Sequence, residues 1–388
     1  MKVLLLDTAF AAMPIYRGLI EAGHQVWVMG NRPADLLARV ASSAFIEHSY
    51  ADVSEVETHV TALGIDCVVP GCTDVSMETC VKLTHGVQRL DSVETNLSLS
   101  NKAQFRALCG ELNLPAPRVS DPASFPRQGS YICKPVDAYS GKGISVFDGT
   151  DPVALKAAIE TAATASRTGN YLIEDYVGDA LYSCSGFLRD CRFTDVFFVR
   201  EGSSVNPYAV DTSFVVDDFP SHHAELLVSA LERLAGHLGL TDGLLHTQFI
   251  QSADGPKIVE VSRRCPGDLY PLLIEYSTGF RFAAKYAAAL VGYEFDTSVS
   301  VRRYILRHTV TADFTCDYGG LVFSQKMPTL AFYPIALMGE RLQAKQASRA
   351  GINFSEHPSK AELELSYGAL LRRDCYRVSG ELPTAAER

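Results

Sequence analysis

The 388-residue sequence has no uninterrupted apolar run of the ~18 residues that a membrane-spanning helix needs, so no span is expected. No run of Lys or Arg exceeds two residues, and 35 basic against 45 acidic side chains leave a net charge of −10. That balance argues against sequence-independent binding to nucleic-acid phosphates or to anionic lipid, so neither a nucleic acid nor a membrane is expected as a partner. Ten cysteines are present, but none forms a CxxC pair or sits with His at zinc-finger spacing. They are too sparse for a disulfide scaffold and read as reduced, mostly buried thiols of a cytoplasmic protein. The opening Met1-Lys2-Val3-Leu4-Leu5-Leu6 is interrupted by Asp7 before any cleavage site, so it reads as a strand rather than a leader.

What is present is an ordinary globular composition, 47% hydrophobic and 21% charged, long enough for two or three domains at about 150 residues each. Lys2 to Leu6 suits a strand buried on both faces. Ile15, Leu19 and Ile20 recur at helical spacing up to Gly23, and Gln25 to Met29 makes a second strand. A further apolar strand, Asp66 to Pro70, enters the loop Gly71-Cys72-Thr73-Asp74. Residues 1–95 therefore read as a doubly wound α/β unit. A dinucleotide reading fails on its own loop. The segment after the first strand, Asp7-Thr8-Ala9-Phe10-Ala11-Ala12-Met13, holds no glycine to admit a pyrophosphate.

Asn101 opens a helix that runs to Gly110, and a Pro- and Ser-rich stretch follows. Tyr131-Ile132-Cys133-Lys134 is a strand, Pro135 to Gly143 a polar loop, and Ile144 to Phe147 a returning strand. A helix from Pro152 to Thr164 and a strand from Tyr171 to Glu174 complete a small α+β piece. Residues 203–220 read as a long irregular loop. Helix 222–238 carries Leu226, Leu227, Ala230, Leu231, Leu234 and Leu238 as its core face, with His222, His223 and His237 as surface or packing residues. Residues 301–388 read as a β-rich C-terminal subdomain.

The most specific feature is a hairpin: Leu244 to Ile250, a turn at Asp254-Gly255-Pro256, then Lys257 to Arg264. Gln248 falls opposite Glu260 to within one residue, and alternation puts Glu260, Ser262 and Arg264 on one face. An amide oxygen, a carboxylate and a hydroxyl so placed suit a hard cation that also takes phosphate oxygens. Taken alone, the same residues suit a solvated outer face equally well. Lys134 precedes the small-residue loop Ser140-Gly141-Lys142-Gly143, whose backbone amides would fold over phosphates, with a plain turn as the simpler alternative.

In combination these segments resemble the ATP-grasp superfamily over roughly residues 1–300. The resemblance rests on Asn101-Lys102 opening a helix, Ile132-Cys133-Lys134-Pro135 before the glycine loop, Glu174-Asp175-Tyr176-Val177-Gly178 after a strand, and Gln248 with Glu260-x-Ser262-x-Arg264. The pattern is most similar to the synthetase halves of carbamoyl phosphate synthetase, where a glutamine also replaces the first carboxylate and a helix ends Val-Gly-Tyr, as at Val291-Gly292-Tyr293.

The resemblance implies an α/β architecture: the N-terminal doubly wound parallel-sheet domain, an ATP-grasp domain over 96–300 whose small clasping subdomain covers about 115–180, and the segment 301–388 packing on that core. It implies that Lys102 and Lys134 contact phosphates and that Ser140, Gly141, Lys142 and Gly143 close over the triphosphate. The hinge Glu174, Asp175, Tyr176 and Val177 would hold adenine, largely through its backbone. Leu181 stands where the family often has a ribose-binding glutamate, with Asp179 as its substitute. Gln248, Glu260 and Ser262 would hold Mg²⁺, one or two ions, with Mn²⁺ as a replacement.

The chemistry implied is transfer of a phosphoryl group from ATP to a carboxylate, followed by attack of an amine, with Arg264, Lys134 and Lys142 as catalytic cations. Substrate candidates are Thr73, Asp74, Arg263, Arg264, Gly267, Asp268 and the loop 203–219, since Arg suits a carboxylate and Asp an ammonium. The expected partners are thus a small carboxylate and an amine, of amino-acid type, and a homodimer is compatible with the sequence. Two alternatives stand beside the ligase: a regulatory nucleotide binder, and a bicarbonate-activating carboxylase or carbamoyl-forming enzyme.

Overall fold

The computed structural model describes every residue except 88, 139–140, 296–297, 300, 325, 346–347 and 382–388. The chain divides into two compact units: Met1–Leu90 with Val199–Val215 and Arg264–Arg388, and Asp91–Phe198 with Val216–Arg263. They are called here the first and second units. Among the described residues no helix is long and apolar enough to cross a membrane.

The first unit opens on a parallel sheet in the order Phe45–Glu47, Gln25–Gly30, Lys2–Leu6, Cys67–Pro70. Val3, Leu4, Leu5 and Leu6 are wholly buried, as a strand covered on both faces requires. Helix Met13–Glu21 buries Ile15 and Leu19, whereas Ile20 is exposed. The glycine-free loop after the first strand holds the buried carboxylate of Asp7, which accepts the N–H groups of Ala9 and Cys72, each at 2.9 Å. Burial raises that carboxyl above the usual carboxylate range.

The same unit carries helices Tyr270–Thr278 and Phe282–Val291 and the antiparallel strands Thr212–Val216, Tyr304–Val310, Gly351–His357 and Thr329–Pro334, in that order. Strands Arg341–Leu342, Cys316–Phe323 and Tyr376–Glu381 pair beside them in sequence as a smaller sheet. One expectation needs correcting. Residues 203–220 are not wholly irregular, because Thr212–Val216 is a strand in which Thr212, Ser213 and Phe214 pair with His308, Arg307 and Leu306. Residues 301–388, expected to be β-rich, also hold the helix Lys360–Leu371, capped by the Ser359 side chain.

The second unit has two sheets. The small one, Ser145–Asp148, Ser130–Pro135, Tyr171–Asp175, packs Tyr131, Cys133, Phe147 and Ile173 against Ala158 and Ala162 of helix Pro152–Ala165. The large one places Gly255–Ser262 beside Gly243–Ser252 and then Ala180–Arg189. Its core face, with Cys184, Leu245, Phe249, Ile258 and Val261, meets Leu227, Leu231 and Leu234 of helix Ser221–Leu238. Each such fully buried side chain contributes roughly 1.5–3 kcal/mol. Leu226, expected in that core, is exposed on the far side of the helix.

Candidate functional site

The hairpin is regular from its turn inward: Ser252 pairs with Gly255, Ile250 with Lys257 and Phe249 with Ile258. Continued regularly, that ladder would set Gln248 opposite Val259. A β-bulge intervenes, Val259 becomes the extra residue, and Gln248 lies opposite Glu260. The register then makes two polar rows across the large sheet, Ser183–Gln248–Glu260 and Ser185–His246–Ser262. Alternation places all six on the face opposite Phe249 and Val261.

His246 was not anticipated as part of this face. Its Nδ1 lies 2.6 Å from the Ser185 hydroxyl, and the available signal was its place two residues before Gln248. Glu260 is exposed and forms no ion pair among the described residues. One carboxylate, one amide and hydroxyls suit a hard cation whose remaining positions are filled by phosphate or water. Among the described residues no group of three or more His, Cys, Asp or Glu side chains could hold a metal by itself. This donor set therefore fits a cation that arrives with phosphate.

Lys134 lies on the small sheet with its side chain on the face away from Cys133, and it pairs with Leu172, diagonal to Glu174. Its Nζ donates to Glu174 Oε2 at 2.6 Å. Arg106, on the helix Lys102–Glu111, donates its Nε to Glu174 Oε1 at 2.6 Å and its Nη2 to the Val259 carbonyl at 2.8 Å. All three side chains are buried. Burial alone would raise the Glu174 carboxyl, but the charges of Lys134 and Arg106 outweigh it and hold it below the usual range. The Arg106 Nη1 is buried with no hydrogen-bond partner. Sequence reading missed Arg106 altogether, and it brought Glu174 to adenine by its backbone without foreseeing that its carboxylate is locked between two cations.

The loop that follows Lys134 is tied at its base. Lys102 accepts this role from one side, its backbone N–H donating to the Val136 carbonyl at 3.0 Å and its Nζ to the Ala138 carbonyl at 2.8 Å. On the other side the Asp137 carboxylate accepts from Ser166, Arg167 and Thr168. Gly141 and Gly143 both have φ of +71°, where glycine alone is unstrained, and a Cβ at Gly143 would stand 2.3 Å from Ala165 Cβ. Lys142 between them is exposed, and Ser140 lies outside the described residues. In the hinge, the N–H groups of Asp175 and Tyr176 donate to Arg118 and Ser130 carbonyls, each at 2.9 Å. Tyr176 and Asp179 are exposed and Val177 half-buried.

Arg263 serves the second unit's own structure. It donates to the Asp91 carboxylate at 2.7 Å and to the Leu244 and Thr241 carbonyls at 2.7 and 2.5 Å. The guanidinium is thus engaged in a buried ion pair.

In the first unit, Arg264 grips Asp74 with two bonds, at 2.7 and 3.1 Å. Thr73 caps the helix Asp74–Cys80 and lies 3.2 Å from the Tyr50 hydroxyl. Asp268 follows Gly267 with a left-handed backbone, φ +52°, as does Leu269 at +56°. Strain of that kind, of order 1–3 kcal/mol per residue, collects at functional loops. The Asp268 carboxylate takes Arg349 at 2.7 Å, and its carbonyl takes Arg307 at 2.8 Å. Arg307 is buried and also donates to Ser213 at 2.8 Å. Neither Arg307 nor Arg349 was anticipated, since both lie far along the chain from any motif. A separate groove of about 590 Å³ in the second unit, lined by Asn113, His222, Glu225, Arg233 and Lys257 among others, contains none of the expected residues.

The chain has the ATP-grasp fold, a mixed α/β architecture with an N-terminal parallel sheet and large antiparallel sheets. Among solved structures it is similar to phosphoribosylglycinamide synthetase from Anaerococcus prevotii, with a TM-score of 0.76 at 12% identity over 98% of this chain and 99% of that one. An L-amino acid ligase from Bacillus licheniformis gives 0.76 at 14%, with the same two coverages of 98% and 99%. The biotin carboxylase domain of a 2-oxoglutarate carboxylase from Hydrogenobacter thermophilus, solved with MgADP, ADP and bicarbonate, gives 0.75 at 14% over 98% and 90%. Neither a protein-family model nor a curated protein matches the sequence.

Proposed function

We propose that the protein is an ATP-dependent ligase that phosphorylates a small carboxylate and joins it to an amine, releasing ADP and phosphate. The observation that carries this reading is the bulged hairpin that sets Gln248 against Glu260 in the same unit that buries Lys134 on Glu174. The fold shared with ATP-using ligases supports it.

On this reading Gln248, Glu260 and Ser262 hold Mg²⁺, which when bound lowers the repulsion between the phosphates and an incoming carboxylate. Lys134 and Lys102 meet phosphate oxygens from the small sheet and its adjoining helix. The loop carrying Gly141, Lys142 and Gly143 folds over them with its amides, and Lys142 adds a cation. Glu174 to Val177, with Asp179, receive the nucleoside. Arg264 serves the transferring phosphoryl group, and it reaches that role by exchanging Asp74 for a more highly charged partner. The Thr73, Asp74, Gly267 and Asp268 set, with arginines beside carboxylates, suits a zwitterion of amino-acid type.

The test is ADP release measured with panels of carboxylates and amines in the presence of Mg²⁺. The proposal expects a carboxylate and amine pair to stimulate release and to yield an amide. Intact ATP binding with no stimulation by any pair overturns it.

A further inference from the structure

We propose that Arg106 is a positioning residue that ties the hinge carboxylate and the metal strand to one guanidinium, so that nucleotide grip and metal grip are set together. The inference rests on the ATP reading above and names a residue which that reading does not use.

A bulge takes one residue out of the ladder, and the displaced backbone needs another partner. Here the Val259 carbonyl accepts Arg106 Nη2 at 2.8 Å. That bond holds the extra residue in place, and the extra residue is what moves Glu260 into register with Gln248. The same guanidinium holds Glu174 through Nε at 2.6 Å, and Glu174 in turn holds Lys134 at 2.6 Å. Arg106 thus bridges the strand Tyr171–Asp175, which leads into the hinge, and the strand Gly255–Ser262, which carries the metal-binding oxygens.

Charge completes the case. Glu174 faces two cations, so when Lys134 turns to a phosphate the buried carboxylate keeps Arg106 as counter-ion. A lysine at 106 would keep the charge, but it lacks the planar fork that reaches two acceptors at once. Lys102, four residues earlier on the same helix face, ties the base of the glycine loop, so one helix sets loop, hinge and bulge.

The test is the dissociation constant of ADP for the full chain, measured calorimetrically with Mg²⁺ and with a chelator, in the unaltered protein, in R106K, and in both backgrounds after deletion of Val259. Deleting the bulge residue makes the ladder regular while leaving Gln248 opposite Glu260, so it removes the need for the clamp. In R106K we expect the tightening of ADP binding by Mg²⁺ to fall by about tenfold or more, with the Mg²⁺-free constant little changed. In the chain lacking Val259 we expect R106K to leave the tightening unaltered. If R106K unfolds, deletion of Val259 should restore its fold.

Full Mg²⁺ tightening in R106K overturns the inference alone. So does a loss, or an unfolding, that persists without Val259. Failure of the unaltered chain to bind ADP at all overturns the nucleotide reading, and this inference with it.

Discussion

Replacing Glu174 by Gln and Lys134 by Met perturbs one ion cluster from its two ends, and the structure ranks their effects in opposite orders for stability and for binding. Glu174 is the shared acceptor of Lys134 and Arg106, each at 2.6 Å, and its side chain is 1% exposed. E174Q leaves two buried cations facing each other without a counter-ion, a loss of about 3–5 kcal/mol. K134M leaves the carboxylate on Arg106, removes one charged hydrogen bond and substitutes an apolar chain of similar length, a loss of about 1.5–3 kcal/mol. In thermal melting, E174Q should therefore fall furthest, by roughly 5 °C. In ADP titration the order should reverse, because K134M deletes the phosphate ligand itself and should weaken binding by about tenfold or more, some 1.4 kcal/mol, whereas E174Q keeps the lysine. The same rank order in both measurements, or K134M binding ADP as well as the unaltered chain, would refute the reasoning.

Three further outcomes are expected. E260Q should lower the rate of ADP formation by about a hundredfold while leaving the melting temperature within about 2 °C, because the carboxylate is exposed and forms no ion pair among the described residues; a stability loss like that of E174Q would show a structural role instead. G143A should weaken ADP binding and cost more than about 1 kcal/mol in urea unfolding, since φ is +71° and its Cβ would stand 2.3 Å from Ala165 Cβ. Burial lowers His308 to about 4 between Thr212 and Tyr376, with Asp211, Arg307 and Arg373 as neighbouring charges. Because the folded-state value lies below the ordinary 6.5, stability is full above pH 6.5 and falls by about 3 kcal/mol as pH drops towards 4. H308Q should shrink that acid loss, and an unchanged pH dependence in chemical unfolding would contradict the assignment.

Much of the fold was legible because its signals are local. The run Lys2–Leu6, the Gly-bearing loop after Lys134 and the polar alternation of Gln248, Glu260 and Ser262 each follow from a period of two or from a breaker residue. The helix Lys360–Leu371 was not, because Glu362-Leu363-Glu364-Leu365 alternates like a strand; Leu363 is buried but Leu365 is 74% exposed. The bulge at Val259 shows in sequence only as a one-residue uncertainty in register, yet it decides which residue faces Gln248. Arg106 reads as a helix-surface charge four residues after Lys102, and nothing local reveals a carboxylate 68 positions away. Arg263 and Arg264 look alike as neighbours in a motif. Only the structure separates them, the first buried on Asp91 and the second, more exposed, on Asp74.

The central claim is that one unit holds an ATP phosphate chain between Lys134 and the strand carrying Glu260. It is tested most directly by a crystal structure of the full chain with ADP and Mg²⁺. The account predicts Lys134 Nζ on a phosphate oxygen and the metal within coordination distance, about 2.1 Å, of Glu260. Nucleotide bound elsewhere, or bound with Lys134 still on Glu174 and no metal at Glu260, would contradict it.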